Sequence, residues 1–349
     1  MKVTIGIKSM TSEGFEVGKL ETRNLRELLR CINKTSQVIV PPTSGFDSGV
    51  HKIGDDKCIV ISTDPCIGVP TEWFGWFLIH YAASDVAVFG AKPQYATINL
   101  LAPLGTRIAI FEKVMRQACK TADELQVVII TGHTGTYDGL STLVGTCTAY
   151  GIVRQSDLVT PAGAKPGDYL VCAKPLGFET LANFALTKKK LAIRLFGQKQ
   201  ARLLAKEVKM ETCVNEALAL AKTGGVSAMH DATEGGFVAA LNEMADASNV
   251  GFTVDFAELP ILPELKKLAE HFELNWQQVL ATSSTGTLLA AVSPSRREKV
   301  MEILSKLQLG GKVVGVIVEG KRRSIRLDGE EVDFPETADD PYAEILGQQ

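Results

Sequence analysis

The chain has 349 residues, 22% of them charged and 45% hydrophobic, with 37 basic against 40 acidic side chains and a formal net charge of −3. That length passes the ~250–300 residues at which single cores split, so two domains are expected, and the composition is that of an ordinary globular protein. A slightly acidic balance supplies no basic field and sets nucleic acid aside as a partner; the longest apolar stretch, around Trp73 to Tyr81, is far too short for a membrane span.

Residues 1–10, MKVTIGIKSM, lack the apolar core of a signal peptide and alternate weakly, as an edge strand does. NLRELLRCINK places Leu25, Leu28, Leu29 and Ile32 at helical spacing. QVIV reads as a strand broken by Pro-Pro, and the Gly/Ser-rich loop that follows carries Gly45, Asp47 and Ser48. IGDD then reads as a hairpin turn, with Asp55 and Asp56 as turn residues, into the strand KCIVIS. Pro65 has no N–H, so the strand is expected to stop there with Asp64 at its C-terminal end. WFGWFLIHYAASDVAVFGAKP reads as a buried helix closed by Gly90 and Pro93, with Asp85 a polar residue inside the apolar run.

QYATINLLAPLG is a predicted strand, and Thr106 caps the helix RIAIFEKVMRQACKTADEL. In VVIITGHTGTYDG a strand leads into a glycine-bracketed loop holding Gly132, His133 and Thr134, and STLVGTCTAYGIV is a Thr/Val-rich strand. VTPAGAKPGD (159–168) is the densest Pro/Gly stretch, and it divides the chain into expected domains 1–158 and 159–349. The second half opens with YLVCAKPLGFET, a strand whose exit carries Lys174 and whose glycine turn starts a helix. KQARLLAKEVKMETCVNEALALAKTGG reads as one long helix with a glycine stop. VSAMHDATEGGFVAALNEMADASN reads as strand, polar knuckle and helix, GFTVDFA as a strand and ILPELKKLAEHF as a helix. SSTGTLLAAVSPSRREKVMEILSKL is a strand and a capped helix, and GKVVGVIVEG and SIRLDG are closing strands. The seven cysteines form no CxxC pair and no zinc spacing; they read as small core residues, which suits a reducing cytoplasm and makes that the expected location.

The chemistry concentrates in Asp47, Asp64 and Asp85, each at the edge of an apolar element or inside one. Between the first and the last of them the only basic residues are Lys52 and Lys57, both in the turn HKIGDDK. Two unit charges 4 Å apart repel by ~4 kcal/mol at an effective dielectric near 20, so three carboxylates converge only around a counter-ion. Oxygen ligands alone point to Mg²⁺ accompanied by phosphates. The same residues read equally as a turn residue, a strand-end cap and a solvent-facing helix residue. HDATEGGF (230–237) is the second focus. Asp231 and Glu234 are spaced as a capping box; alternatively Gly235 and Gly236 open a helix N-terminus that attracts phosphate, with Asp231 a metal ligand or base beside it. His133 is a ligand or a structural histidine, and Lys174 reaches a phosphate or solvent. No Walker-A pattern and no Ser-His-Asp arrangement is present.

GFDSGV, STDP, SDVAVFGAKP, TGHT, KPLG, HDATEGGF and SSTGTLLAAV, in that order over roughly residues 25 to 330, resemble the aminoimidazole ribonucleotide synthetase superfamily, nearest to its hydrogenase expression/formation branch. The resemblance implies an α+β protein of two such domains, the N-terminal sheets of two subunits pairing into a dimeric β-barrel and the C-terminal domain forming an α/β sandwich. It implies ATP in the cleft between the domains, Asp47, Asp64 and Asp85 as Mg²⁺ ligands, and the Gly45–Ser48 loop folded over the phosphates. Gly132, His133 and Thr134 would lie near the nucleotide, and Asp231, with Glu234, Gly235 and Gly236, would face the γ-phosphate or the acceptor. The implied chemistry phosphorylates or dehydrates an amide, carbonyl or phosphoryl acceptor. A nucleotide-binding partner without turnover and a thiamine-monophosphate kinase-like phosphotransferase are the other activities open to it. Hydrogenase-maturation members carry a cysteine at the extreme C-terminus; this chain ends PYAEILGQQ and its last cysteine is Cys213.

Overall fold

The computed structural model describes residues 20, 22–33 and 35–347, so the strand expected at residues 1–10 lies outside the described residues. The first half runs α1 (Thr22–Leu29), β1 (Val38–Val40), β2 (Gly49–Lys52), β3 (Lys57–Ile67), α2 (Phe74–Val88), β4 (Tyr95–Pro103), α3 (Ile108–Leu125), β5 (Val128–Tyr137) and β6 (Val144–Arg154). Its strands form one six-stranded sheet in the order β1-β2-β3-β6-β4-β5, antiparallel except for the β4–β5 pair.

Alternation along β3 decides what meets what. Cys58, Val60, Ser62 and Cys66 are buried on the helix side, and Ile61 and Ile67 are exposed on the other. Helix α2 covers the inner face. It is apolar all round, so it must be buried on every side, and every residue in it but Tyr81 is. Gly75 brings the next helix close, since a Cβ there would lie 2.2 Å from the carbonyl oxygen of Val114 in α3. Contrary to expectation, β3 does not stop at Pro65. It continues to Ile67 paired with β6 throughout, Pro65 opposite Thr146. Its other neighbour, β2, ends opposite Ile61, so the strand is open on one side from there on and tolerates a residue without an N–H.

The second half runs β7 (Tyr169–Ala173), α4 (Phe178–Thr187), α5 (Lys189–Phe196), α6 (Gln198–Leu204), α7 (Val214–Ala221), β8 (Val226–Asp231), α8 (Gly236–Ser248), β9 (Gly251–Asp255), α9 (Pro263–His271), α10 (Trp276–Ala281), β10 (Leu288–Val292), α11 (Arg297–Lys306), β11 (Lys312–Val318), β12 (Arg323–Leu327), β13 (Glu330–Asp333) and α12 (Tyr342–Leu346). These strands form a seven-stranded sheet in the order β13-β12-β9-β11-β7-β10-β8. Both faces are covered. Val171, Ala173, Leu288 and Ala290 enter one apolar core, and their neighbours Leu170, Cys172, Leu289 and Ala291 enter a second with Phe237 and Leu241 of α8. The first core is continuous with the one around α2, which makes α2 the element shared by the two sheets.

The long helix expected across 199–225 is broken into α6, a 3₁₀ turn at Glu207–Met210 and α7. The carbonyls of Met210 and Thr212 turn to the ammonium of Lys174 instead of continuing a helical ladder. Among the described residues no helix is long and apolar enough to cross a membrane.

Candidate functional site

Ser62 and Asp64 share the inner face of β3 because they are two apart, and α2 lays Asp85 against that face. Ser62 Oγ donates to Asp85 Oδ2 at 2.6 Å, and Ser48 Oγ, from the loop before β2, donates to the Asp85 backbone carbonyl at 3.0 Å. Asp85 is buried, and its carboxyl is held well above the usual range, first by burial and then by the charges of Asp64, Asp231 and Asp47. Four carboxylates from four separate segments therefore face one another.

Asp231 ends β8 in the second half, preceded by His230, and both are buried. Ligand atoms of Asp47, His230 and Asp231 lie within 4.8 Å of one another. His230 bridges the halves: Nδ1 is 3.4 Å from Asp47 Oδ2 and 2.8 Å from the Asp231 backbone carbonyl, and Nε2 is 3.1 Å from Glu243 Oε2 on α8. Burial alone would lower its pKa, but Asp47, Glu243 and Asp231 outweigh burial and raise it to about 10. Gly45 lets the Asp47 loop seat on α8. Its φ of +83° is open to glycine, and a Cβ there would lie 3.0 Å from Cβ of Glu243. A cavity of about 200 Å³ opens beside this contact, between Arg26, Ser44, Gly235 and Glu336.

This donor set fits a hard divalent cation. It is rich in carboxylate oxygen. The buried Oδ2 of Asp47 has His230 as an ion-pair partner but no hydrogen bond, and Asp85 is in the crowded state that a nearby positive charge relieves. The cysteines offer no competing thiolate chemistry: burial pushes the Cys66 and Cys147 thiols up, beside Asp64.

Several expected residues sit elsewhere than the sequence suggested. Gly132, His133 and Thr134 are not in a loop but within the outer strand β5, exposed, with His133 Nε2 2.5 Å from the Tyr137 hydroxyl. His133 is in register with Asn99 on the outer face, whereas Asp64 points inward from β3, three strand spacings or ~14 Å away. The single chain does not bring the TGHT segment to the carboxylates. Lys174 is neither solvated nor aimed at the cleft. It sits buried at a φ of +69°, paired with Glu216 and donating to the carbonyls of Met210 and Thr212.

The capping box is also absent. Helix α8 begins at Gly236 behind a left-handed Gly235, without a side-chain cap. The N–H of Gly235 goes to Asp340 Oδ2 at 3.1 Å, and that of Gly236 to the Thr233 carbonyl at 3.0 Å. Gly236 is needed there, since a Cβ would lie 2.5 Å from the Thr282 carbonyl oxygen. Burial first raises the Glu179 pKa, and the charges of Asp340 and Glu234 add to it. His230, Glu243, Ser62 and Asp340 were missed by sequence reasoning. For Ser62 a signal existed, its i−2 spacing from Asp64 on a half-buried strand; Glu243 and Asp340 become neighbours of the site only through tertiary contacts.

Two family models match the chain: AIR synthase related protein, N-terminal domain, over residues 45–153, and AIR synthase related protein, C-terminal domain, over residues 165–328. Similar curated proteins include a putative hydrogenase expression/formation protein of Methanocaldococcus jannaschii, 28% identical over 76% of each chain. Another is a selenide, water dikinase of Myxococcus xanthus, 26% identical over 92% of this chain and 97% of that one. The fold is that of the hydrogenase maturation protein HypE, whose crystal structure in complex with ATP matches with a TM-score of 0.69 at 18% identity, covering 84% of this chain and 89% of that one. The two matched domains, the two-sheet α+β fold and these likenesses agree that the chain belongs to the AIR synthase superfamily.

Proposed function

We propose that this protein binds ATP with Mg²⁺ between its two sheets and uses it to activate an amide, carbonyl or phosphoryl acceptor. The observation that carries the reading is the convergence of Asp47, Asp64, Asp85 and Asp231 on one cleft, with His230 the positive charge placed against them. Asp47, Asp64 and Asp85 would hold the metal from the first half, and Asp231 meets them from the second. A bound Mg²⁺ supplies charge neutralisation on the phosphates. The chain's own part is positioning. Ser62 and Ser48 fix Asp85 through its carboxylate and its carbonyl, and Gly45 keeps the Asp47 loop against α8. Asp231, at a strand end beside the acceptor side of the cleft, orients the acceptor or takes its proton. The likeness to a HypE structure solved with ATP supports the nucleotide, and the hydrogenase expression/formation relative supports placing the activity in hydrogenase maturation.

The same reading makes the protein a homodimer. The first sheet exposes Ile61, Ile67, Tyr95, Val128, Ile130 and Ile152, large apolar side chains that a second copy would cover.

Thermal unfolding with ATP, with and without Mg²⁺, tests the nucleotide site. The wild type should gain several degrees with both present and little with either alone, and Asp64→Asn should lose most of that gain. A wild-type melting temperature indifferent to Mg²⁺ and ATP together sinks the reading.

A further inference from the structure

Away from the metal-type cluster, a second group of acids is buried in the C-terminal half; Lys174, whose ammonium holds the carbonyls on either side of Glu211, is paired with Glu216 instead. Glu211 follows the 3₁₀ turn before α7 and is 0% exposed. Both of its carboxyl oxygens are buried, and neither has a hydrogen-bond partner among the described residues. The loop 283–286 lies directly over it, since a Cβ on Gly286 would come within 2.8 Å of the Glu211 carbonyl carbon. That loop gives the Thr285 N–H to Oε2 of Glu179, in the first turn of α4, at 3.0 Å. Burial first, and then the charge of Glu179, hold the Glu211 carboxyl well above the usual range. The phenols of Tyr81 and Tyr342 are pushed up by burial and by the same two glutamates.

A strap covers these acids. The C-terminal segment lays Asp340 over the loop, where its carboxylate accepts from Gly235 N at 3.1 Å, Ser283 N at 3.3 Å, Ser283 Oγ at 2.5 Å and Tyr342 N at 3.0 Å. The loop is also tied to the chain just after Asp231: Ala232 N donates to the Thr287 carbonyl at 2.8 Å, and Ser284 N to the Thr233 carbonyl at 3.3 Å. The acid pair therefore stands one loop away from the proposed phosphoryl-transfer site, beneath the C-terminal segment that Asp340 ties down.

An unpaired, fully buried carboxyl is retained at a cost unless something pairs with it. An anion would be repelled by Glu179 and Glu211, and an apolar group would leave both Glu211 oxygens bare. A group carrying several N–H donors and a positive charge satisfies both acids at once. We propose that Glu211 and Glu179 form the recognition site for a cationic nitrogen group, an ammonium or guanidinium, on the acceptor molecule. This assignment rests on the reading of the protein as one that activates an acceptor beside Asp231.

The test is a saturation-transfer NMR titration of methylguanidinium against the full chain, with and without Mg²⁺ and ATP. Saturable binding is expected in both conditions, at least tenfold weaker in Glu211→Gln and in Glu179→Gln, and tighter in Asp340→Asn, where the strap is loosened. Glu211→Gln should melt no lower than the wild type, which separates lost binding from lost folding. Absence of saturable binding in both the wild type and Asp340→Asn overturns the assignment, as does wild-type affinity in the two glutamine variants. If the probe fails while Mg²⁺ and ATP still stabilise the protein, this assignment falls alone; if the nucleotide fails while the probe binds, the ATP reading falls instead.

Discussion

His80 and Glu211 are both buried ionisable side chains, and they tilt the pH dependence of stability in opposite directions. His80 lies on α2 with its Nδ1 buried and without a hydrogen bond. Burial, with the charges of Lys174 and Lys209, lowers its pKa from 6.5 to about 3, so it folds neutral. A base depressed in this way contributes stability that is present above 6.5 and is lost as pH falls from there towards 3. Glu211 and Asp85 are acids raised in the folded state, so their contribution is complete below the ordinary carboxylate range and is lost as pH rises through it. Thermal unfolding of the metal-free protein should show both limbs. Glu211→Gln should raise the melting temperature at pH 8 more than at pH 5, and His80→Phe should flatten the loss between pH 6.5 and pH 4. An unchanged profile in either variant contradicts the corresponding assignment. Lys174 and Glu216 make a contrasting pair, with side chains only 4% exposed and engaged with each other. Lys174→Met strands a buried carboxylate and should cost ~3–5 kcal/mol in denaturant unfolding, much of it recovered when Glu216→Leu is added.

At the scale of elements, the local patterns were read correctly where a single periodicity governed the segment. The apolar run of α2 and the strand–knuckle–helix of β8 and α8 both follow from local spacing. The errors occur where tertiary partners decide. Pro65 reads as a strand stop, yet the open side of β3 beyond Ile61 removes the penalty that would have made it one. TGHTGTY looks like a loop because of its glycines, but pairing with β4 from Tyr95 to Pro103 holds it extended. The break between α6 and α7 carries no glycine or proline; it is made by Lys174, distant in sequence, claiming the Met210 and Thr212 carbonyls. The site divides in the same way. Asp47, Asp64, Asp85 and Asp231 were legible because a carboxylate at the edge of an apolar element is conspicuous. Glu243, Asp340 and Glu211 sit in segments whose spacing is ordinary, and only the packing of α8, the C-terminal strap and the loop 283–286 gives them a role.

At the scale of the molecule, the two sheets are treated differently by their helices. The second sheet is covered on both faces and needs no further partner. Among the described residues the first is covered by α2 and α3 on one face alone; its exposed apolar side chains are Ile61 and Ile67 from β3, Tyr95 from β4, Val128 and Ile130 from β5, and Ile152 from β6. Its edge, β5, is ten residues long, with Val128 55% and Ile130 51% exposed. A long exposed edge strand of this kind is a template for pairing with another chain unless something covers it. A second copy docking face to face would bury that surface on both chains and would cover the exposed TGHT segment as well. The wild type should sediment as a dimer at micromolar concentration, and Ile130→Lys, which places a charge on the exposed β5 edge of the sheet, should sediment as a monomer. Because Ile130 is exposed on the edge strand, away from the core around α2, the monomer should keep the helix-side packing of α2, and its circular dichroism should match the wild type. A wild type that sediments as a monomer at that concentration removes the dimer and leaves the carboxylate cleft untouched.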